Sequence, residues 1–278
     1  SCVLRAPTTT GAVYFKVSST RPLFSDEPEV TQGLAARFPD DIPRPLSVDA
    51  ARGWMLLADF GEPLRGNATV EIREALFQRF GELQRHAAEQ VKALLGMGCL
   101  DRRLERLATQ IDPLLDDAPM MALLKTEEVA QLRALAPRLK ALCAEASTYR
   151  VPPSLVHGDL HLGNVAQQEG RYLIFDWTDS CITHPFIDLI DLIYEKEEAV
   201  RDRLLDGYLA LWTDYEPMAR LKELWELVKP LCALHQVISY QHIVNSLEPA
   251  SKQELIEGFT DWTHLLLAMF AQGNISVG

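Results

Sequence analysis

The sequence predicts an α+β fold of two lobes, a small β-rich lobe with a hinge over residues 1–61 and a large helical lobe over residues 62–278. Three observations lead there. Short runs rich in β-branched and aromatic residues, separated by turn chemistry, crowd into residues 1–61. Apolar residues at three-to-four spacing dominate from Ile72 onward. Inside that helical part, two short apolar runs, Leu155-Val156 and Tyr172-Leu173-Ile174-Phe175, each lead into a segment that carries an aspartate. The composition shifts between Asp59 and Pro63, and a cleft between lobes is a common place for ligands.

Length and composition exclude several classes. A chain of 278 residues buries a sizeable core in one or two domains, and 47% hydrophobic with 24% charged residues is ordinary for a soluble globular protein. No apolar run reaches the roughly 18–20 residues that span a bilayer, and no signal peptide is visible. A net charge of −12 argues against nucleic acid or an anionic membrane as partner, and leaves a cationic small substrate open. The five cysteines, Cys2, Cys99, Cys143, Cys181 and Cys232, are scattered and form no C-x-x-C pair. They read as reduced thiols of a cytoplasmic protein, mostly packing residues, without structural zinc.

Taken in order, residues 1–17 read as a hairpin, Cys2-Val3-Leu4-Arg5 and Val13-Tyr14-Phe15-Lys16-Val17, joined by turn residues from Pro7 to Gly11. Lys16 lies among apolar neighbours, so it either extends its amine to solvent or binds phosphate. Ser25 or Asp26 at an N-cap, Pro28 in the first turn and Val30, Leu34 and Phe38 at helical spacing predict a helix, whose Glu27 or Glu29 complements the dipole or pairs with Lys16. Trp54-Met55-Leu56-Leu57-Ala58 is a further buried strand. Ile72, Leu76, Phe80, Leu83, Ala87, Val91 and Leu94 mark one long amphipathic helix. Leu100 to Ile111 marks a second helix ended by Pro113, and Thr126 opens a third that Pro137 kinks or divides. Pro152-Pro153 resets the chain into a strand before His157. Further helices follow over 183–189, 204–212, 221–234, 237–244 and 255–270, with Trp212, Trp225 and Trp262 in the core.

The chemistry concentrates in His157-Gly158-Asp159-Leu160-His161-Leu162-Gly163-Asn164 and in Asp176 of Phe175-Asp176-Trp177. Carboxylate and amide oxygens at two strand ends suit Mg²⁺, a hard cation that takes oxygen ligands and substrate phosphates. The spacing is that of a kinase catalytic loop and the metal aspartate after it. Transfer of a phosphoryl group needs an oriented hydroxyl, a base and cations for spread-out negative charge. Asp159 fits the base, Asn164 and Asp176 the metal, and Lys16, held by Glu27, the phosphate cation. His157 organises the loop or takes a direct part in the chemistry, and His161 organises the loop or hydrogen-bonds near the phosphates. Asp179 orders the loop or caps the next segment. His184 orders the loop or caps the helix at Pro185, and Asp188 and Asp191 pack on a helix face or loop or are substrate ligands.

These residues resemble the aminoglycoside phosphotransferase and choline kinase-like family, a small-molecule branch of the protein-kinase-like fold. Residues 157–164 match its His-Gly-Asp-Leu-His-x-x-Asn motif at every fixed position, and Phe175-Asp176-Trp177 matches its metal motif. The resemblance runs in order from Lys16 to about Ile193. It implies an Mg²⁺-dependent small-molecule kinase that uses ATP or GTP and acts on a hydroxyl of an aminoglycoside, choline-like amine or sugar. It maps the strand lysine to Lys16, the helix glutamate to Glu27 with Glu29 as the fallback, and the hinge to Leu57 and Asp59, whose backbone would meet the nucleotide base. The family carries a strand and a nucleotide loop ahead of the strand that begins here at Cys2, so the N-terminal lobe is expected to be truncated. A catalytically silent nucleotide-binding or regulatory protein is the alternative. The acceptor pocket is expected from residues 185–278.

Overall fold

Strand pairing across the first 58 residues sets the frame of the site. The structure, a computed structural model, describes residues 1–9, 11–18, 26–65, 68–247 and 252–271. They form two compact units, residues 1–101 with 152–211, and residues 102–151 with 212–278.

In the first unit, β1 (Cys2–Thr8) and β2 (Gly11–Val17) pair antiparallel from Cys2↔Val17 to Thr8↔Gly11. The strands run longer than the sequence suggests. Pro7 stays within β1 because β1 is an edge strand, where a missing N–H can face solvent. Thr10, expected in this turn, and Ser25, a candidate N-cap, lie outside the described residues. Helix α1 (Glu27–Arg37) starts with Pro28 and two acidic residues in its first turn. β3 (Ser47–Asp49) was not legible in the sequence. β4 (Trp54–Ala58) was, and the sheet order is β1-β2-β4-β3.

The stripe read as one helix from Ile72 to Leu94 is two helices, α2 (Val70–Ala88) and α3 (Val91–Gly96), with a turn at Glu89-Gln90. The stripe still packs as one surface. Leu76, Phe80, Leu83, Ala87 and Leu94 share a buried cluster with Val30 and Leu34 of α1 and with Leu155, Ile174, Trp177 and Ile182. Leu100 lies in a strand rather than a helix. β5 (Leu100–Asp101), β6 (Ser154–Val156) and β9 (Cys181–Thr183) make a sheet ordered β5-β9-β6, and β7 (Val165–Gln168) and β8 (Arg171–Ile174) make a hairpin. The short helix α7 (Ile190–Tyr194) and α8 (Glu198–Ala210) complete the unit, with α8 against α2.

The second unit holds α4 (Leu104–Asp116), α5 (Ala118–Met121), α6 (Thr126–Ala146), α9 (Met218–Ser246) and α10 (Gln253–Ala271). Three prolines lie inside helices, and two of them, Pro113 and Pro137, the sequence suggested as places where a helix ends, kinks or divides. Pro113 does not end α4, Pro137 does not divide α6, and Pro230 lies within α9, so the segments read as 221–234 and 237–244 are one helix. An interior proline costs about 3 kcal/mol. Burial outweighs it: every residue from Pro230 to Ser239 is buried. Trp212 and Trp225 are core residues, whereas Trp262 is only half-buried. Cys99, Cys143, Cys181 and Cys232 are buried free thiols, and burial pushes those of Cys99 and Cys143 up to about 12, as packing residues require. Among the described residues no helix is long and apolar enough to cross a membrane.

Phe80, 1% exposed in the shared cluster, tests this packing. Phe80→Ala is expected to lower unfolding stability by about 3–5 kcal/mol in denaturant titrations. A loss below about 1 kcal/mol would show that the cluster does not carry the unit.

Candidate active site

β6 is buried at all three positions and delivers His157 into the protein interior. Burial pushes the His157 imidazole below its usual pKa, so the ring is neutral. The ring then needs one donor and one acceptor role, and both are filled. Nε2 donates to the Phe175 carbonyl oxygen at 2.9 Å, and Nδ1 accepts the Asp159 N–H at 3.3 Å. The ring lies 4.7 Å from that of Trp177. One imidazole thus ties the loop after β6 to the loop after β8.

Gly158 has φ +84°, and a Cβ there would collide with the Asp179 carbonyl oxygen. Only glycine permits this approach. Asp179, expected to order the loop, meets Gly158 through its own main chain. Asp188 supports the turn from the other side, accepting the N–H groups of His157 (2.7 Å) and Gly158 (2.9 Å). Burial pushes its carboxyl up to about 7, while those two hydrogen bonds pull the other way. Gln84 Nε2 also reaches Asp188, at 3.4 Å, and bonds the carbonyls of Leu155 and Pro185. His184 accepts the Phe186 N–H, the cap expected of it, and burial pushes its pKa down to about 3. Asp191 is half-buried, and burial raises its carboxyl.

The Asp159 side chain is 56% exposed, open to a ligand. Asn164 Nδ2 donates to its main-chain oxygen at 2.9 Å and to Oδ2 at 3.2 Å. His161 Nε2 lies 3.5 Å from the same Oδ2, and that carboxylate raises the His161 pKa. His161 Nδ1 accepts the Gly163 N–H at 2.9 Å. With its nitrogen committed to Asp159, the Asn164 side-chain oxygen has no donor among the described residues.

Asp176, directly after β8 and Phe175, has φ 66° and ψ 62°, a left-handed conformation that L-residues adopt at some cost. Its Oδ1 accepts from Lys16 Nζ at 2.8 Å and from Thr178 Oγ1 at 2.9 Å. Burial opposes its charge, but the Lys16 ammonium and the Thr178 hydroxyl bring the carboxyl below the usual range. Lys16 Nζ lies 2.6 Å from Glu27 Oε1, and Ser18 Oγ donates to Glu27 Oε2 at 2.5 Å. Burial works to lower the Lys16 pKa, and Glu27 and Asp176 outweigh it and raise it. Glu29 is exposed; Glu27 is the residue at Lys16.

Lys16, Glu27 and Asp176 line one end of a cavity of about 340 Å³, within the range of small-molecule sites. Met55, Leu57, Phe60 and Phe175 supply apolar walls, with the Phe60 and Phe175 rings 5.1 Å apart. Leu57 and Asp59 also line the cavity. The Asp59 N–H, however, donates to the Ala12 carbonyl oxygen at 3.3 Å instead of facing a base, because the β2–β4 ladder continues past Val13↔Ala58. Ser18, Thr178 and Gln84 were missed in the sequence. For Ser18 a signal exists, since it lies two residues from Lys16 on the same strand face. Thr178 and Gln84 act through tertiary contacts that leave no local pattern.

Residues 9–224 match the model of the phosphotransferase enzyme family. Among curated proteins none matches. Solved structures share the fold at low identity. A choline/ethanolamine kinase family protein from Mesorhizobium loti is 16% identical, over 98% of this chain and 93% of that one, with a TM-score of 0.59. The GDP and kanamycin complex of APH(2")-IIia is 14% identical, over 97% and 90%, with a TM-score of 0.65. The macrolide 2'-phosphotransferase MphH from Brachybacterium faecium is 18% identical, over 92% and 88%, with a TM-score of 0.58. The fold is therefore kinase-like and α+β, a small β-sheet region followed by a large helical part.

The Asp188 anchor has a pH signature. Its folded-state pKa of about 7 lies above the unfolded value, so its contribution to stability is full below about pH 4 and falls as pH rises toward 7. In denaturant titrations of wild type and Asp188→Asn, the stability advantage of wild type is expected to shrink across that window. A difference constant from pH 4 to 7 would show that this carboxyl is not held protonated.

Proposed function

The chain belongs to the phosphotransferase enzyme family, and from that premise we propose that it moves the terminal phosphoryl group of ATP or GTP to a hydroxyl of a small molecule. One observation carries the reading: the Lys16 amine, between Glu27 and Asp176, closes one end of a cavity whose other wall is the strand end at Leu57 and Asp59. Residues 1–61 bind the donor on this reading, and residues 62–278 supply the catalytic loop and the acceptor side.

Lys16 holds donor phosphates by charge, and Glu27 keeps its amine in place. Leu57, Phe60 and Phe175 offer apolar surface for the base. Asn164 and Asp176 fit Mg²⁺: the Asn164 side-chain oxygen is uncommitted, Asp176 keeps Oδ2 free of the contacts made by Oδ1, and an ion that retains water and phosphate ligands needs only one or two such groups. When bound there, Mg²⁺ neutralises phosphate charge. Asp159 orients the acceptor hydroxyl and takes its proton as the oxygen attacks the terminal phosphorus. The bond from that phosphorus to the bridging oxygen breaks, and the nucleoside diphosphate leaves with the electron pair. His157 and Asn164 hold Asp159 at its place through the loop backbone and side chain.

The related structures are those of proteins named for choline or ethanolamine, for a kanamycin complex and for macrolides. Aminoglycosides, choline-like amines, macrolides and sugars therefore form the acceptor panel, and the net charge of −12 favours its cationic members. With donor nucleotide and Mg²⁺, mass spectrometry is expected to find one member that gains a single phosphoryl group. Asp159→Ala is expected to lower its turnover by about 10²–10⁴-fold while nucleotide affinity stays within about threefold. Near wild-type turnover in Asp159→Ala would refute the assigned base. A chain that binds nucleotide and phosphorylates no acceptor would point to the silent alternative.

A further inference from the structure

We infer that Arg65 is a second cationic contact for the donor's phosphates, next in sequence to a residue bonded to the strand that follows the expected metal residue Asn164. The inference rests on the phosphotransferase reading above and extends it to a residue outside the matched motifs.

The first observation is charge. Two cations, Lys16 and Arg65, line the cavity beside four carboxylates, those of Glu27, Asp59, Glu62 and Asp176. Lys16 already faces two of the four at 2.6 and 2.8 Å. A triphosphate adds further negative charge to an acidic cavity, so a cation not yet committed to a carboxylate is worth more to it than one already shared. Arg65 is that cation. It has no hydrogen-bond or ion-pair partner among the described residues.

The second observation is register. Pro63 bridges Ala166 in antiparallel fashion, and the Leu64 N–H donates to the Val165 carbonyl oxygen at 2.9 Å. Arg65 is the next residue after Leu64, and Asn164 is the residue before Val165. The chain at Arg65 thus adjoins the segment that carries Asn164, and Arg65 lines the same cavity as Lys16 and Asp176. The residue before it, Leu64, is held to β7 through its N–H.

The third observation is conformation. Arg65 has φ 42°, in the left-handed region, where glycine or asparagine is the ordinary occupant. The strain is retained at a residue whose side chain lines the cavity. A guanidinium presents a planar fork that matches two phosphate oxygens, which the compact ammonium of lysine does not.

Arg65 is exposed, so its replacement leaves the fold intact, and thermal unfolding checks this. Affinities of wild type, Arg65→Ala and Arg65→Lys for ATP, GTP, adenosine and guanosine are to be measured by calorimetry. Arg65→Ala is expected to weaken the bound triphosphate by about 10- to 100-fold, with its nucleoside changed less than about twofold. Arg65→Lys is expected to recover part of the loss, because charge returns without the fork. Unchanged triphosphate affinity in Arg65→Ala, or equal weakening of triphosphate and nucleoside, would overturn the inference while leaving the phosphotransferase reading intact. A wild-type chain that binds none of the four would overturn both.

Discussion

The site depends on one buried amine. Lys16 lies 5% exposed between carboxylates 11 and 160 residues away in sequence. An ammonium in that position needs both partners, because removing one side of a buried ion pair strands a charge at a cost of about 3–5 kcal/mol. The demand reaches outward. β2 must pair with β4 in the register Lys16↔Met55, α1 must begin with Glu27 turned inward, and β8 must end so that Asp176 comes to the same point. Ser18, on the same face of the chain as Lys16, adds a hydrogen bond that fixes the Glu27 carboxylate. Sheet, helix and loop are thus held together by three polar side chains where apolar packing alone would leave the geometry loose.

A second constraint is the backbone of the loop after β6. Its tight turn turns two N–H groups inward, and buried donors without acceptors are costly. Asp188 accepts both. The His157 ring then bridges the two loops through one donor and one acceptor, which requires the neutral form that burial enforces. Left-handed Asp176 and the glycine at residue 158 are tolerable because these contacts over-determine the backbone around them.

The sequence and the structure agree most where the signal is local. The His-Gly-Asp loop and the aspartate after Phe175 are contiguous patterns, and their contacts follow from short stretches of chain. The choice between Glu27 and Glu29 was not legible. Two residues on a helix differ by about 200° in direction, and only the packing phase of α1 decides which one faces Lys16. β3, β7 and β9 run for three or four residues each, too short for a periodic signal, and their pairing is non-local. Pro113 does not end α4 and Pro137 does not divide α6, for the reason that propensity is a weak prior: the buried faces of these helices outweigh one missing hydrogen bond each. The Asp59 N–H shows the same limit on a smaller scale, since the order of motifs does not say which peptide groups the ladder leaves free.

The two carboxylates at Lys16 are not equivalent, and the difference bears on how one lysine can both hold the unliganded site together and receive phosphate. Glu27 is fully buried and engaged at both oxygens, by Lys16 and by Ser18. Its charge has no route to solvent, so separating it from Lys16 would leave it unpaired. The Asp176 side chain is 39% exposed and uses one oxygen for both Lys16 and Thr178. An exposed carboxylate can trade a protein cation for another ion at little desolvation cost. Glu27 is therefore the permanent partner and Asp176 the exchangeable one. On the proposed reading, arrival of the donor leaves the Lys16–Glu27 pair in place and competes only for the contact with Asp176, the contact that the cavity and solvent can replace.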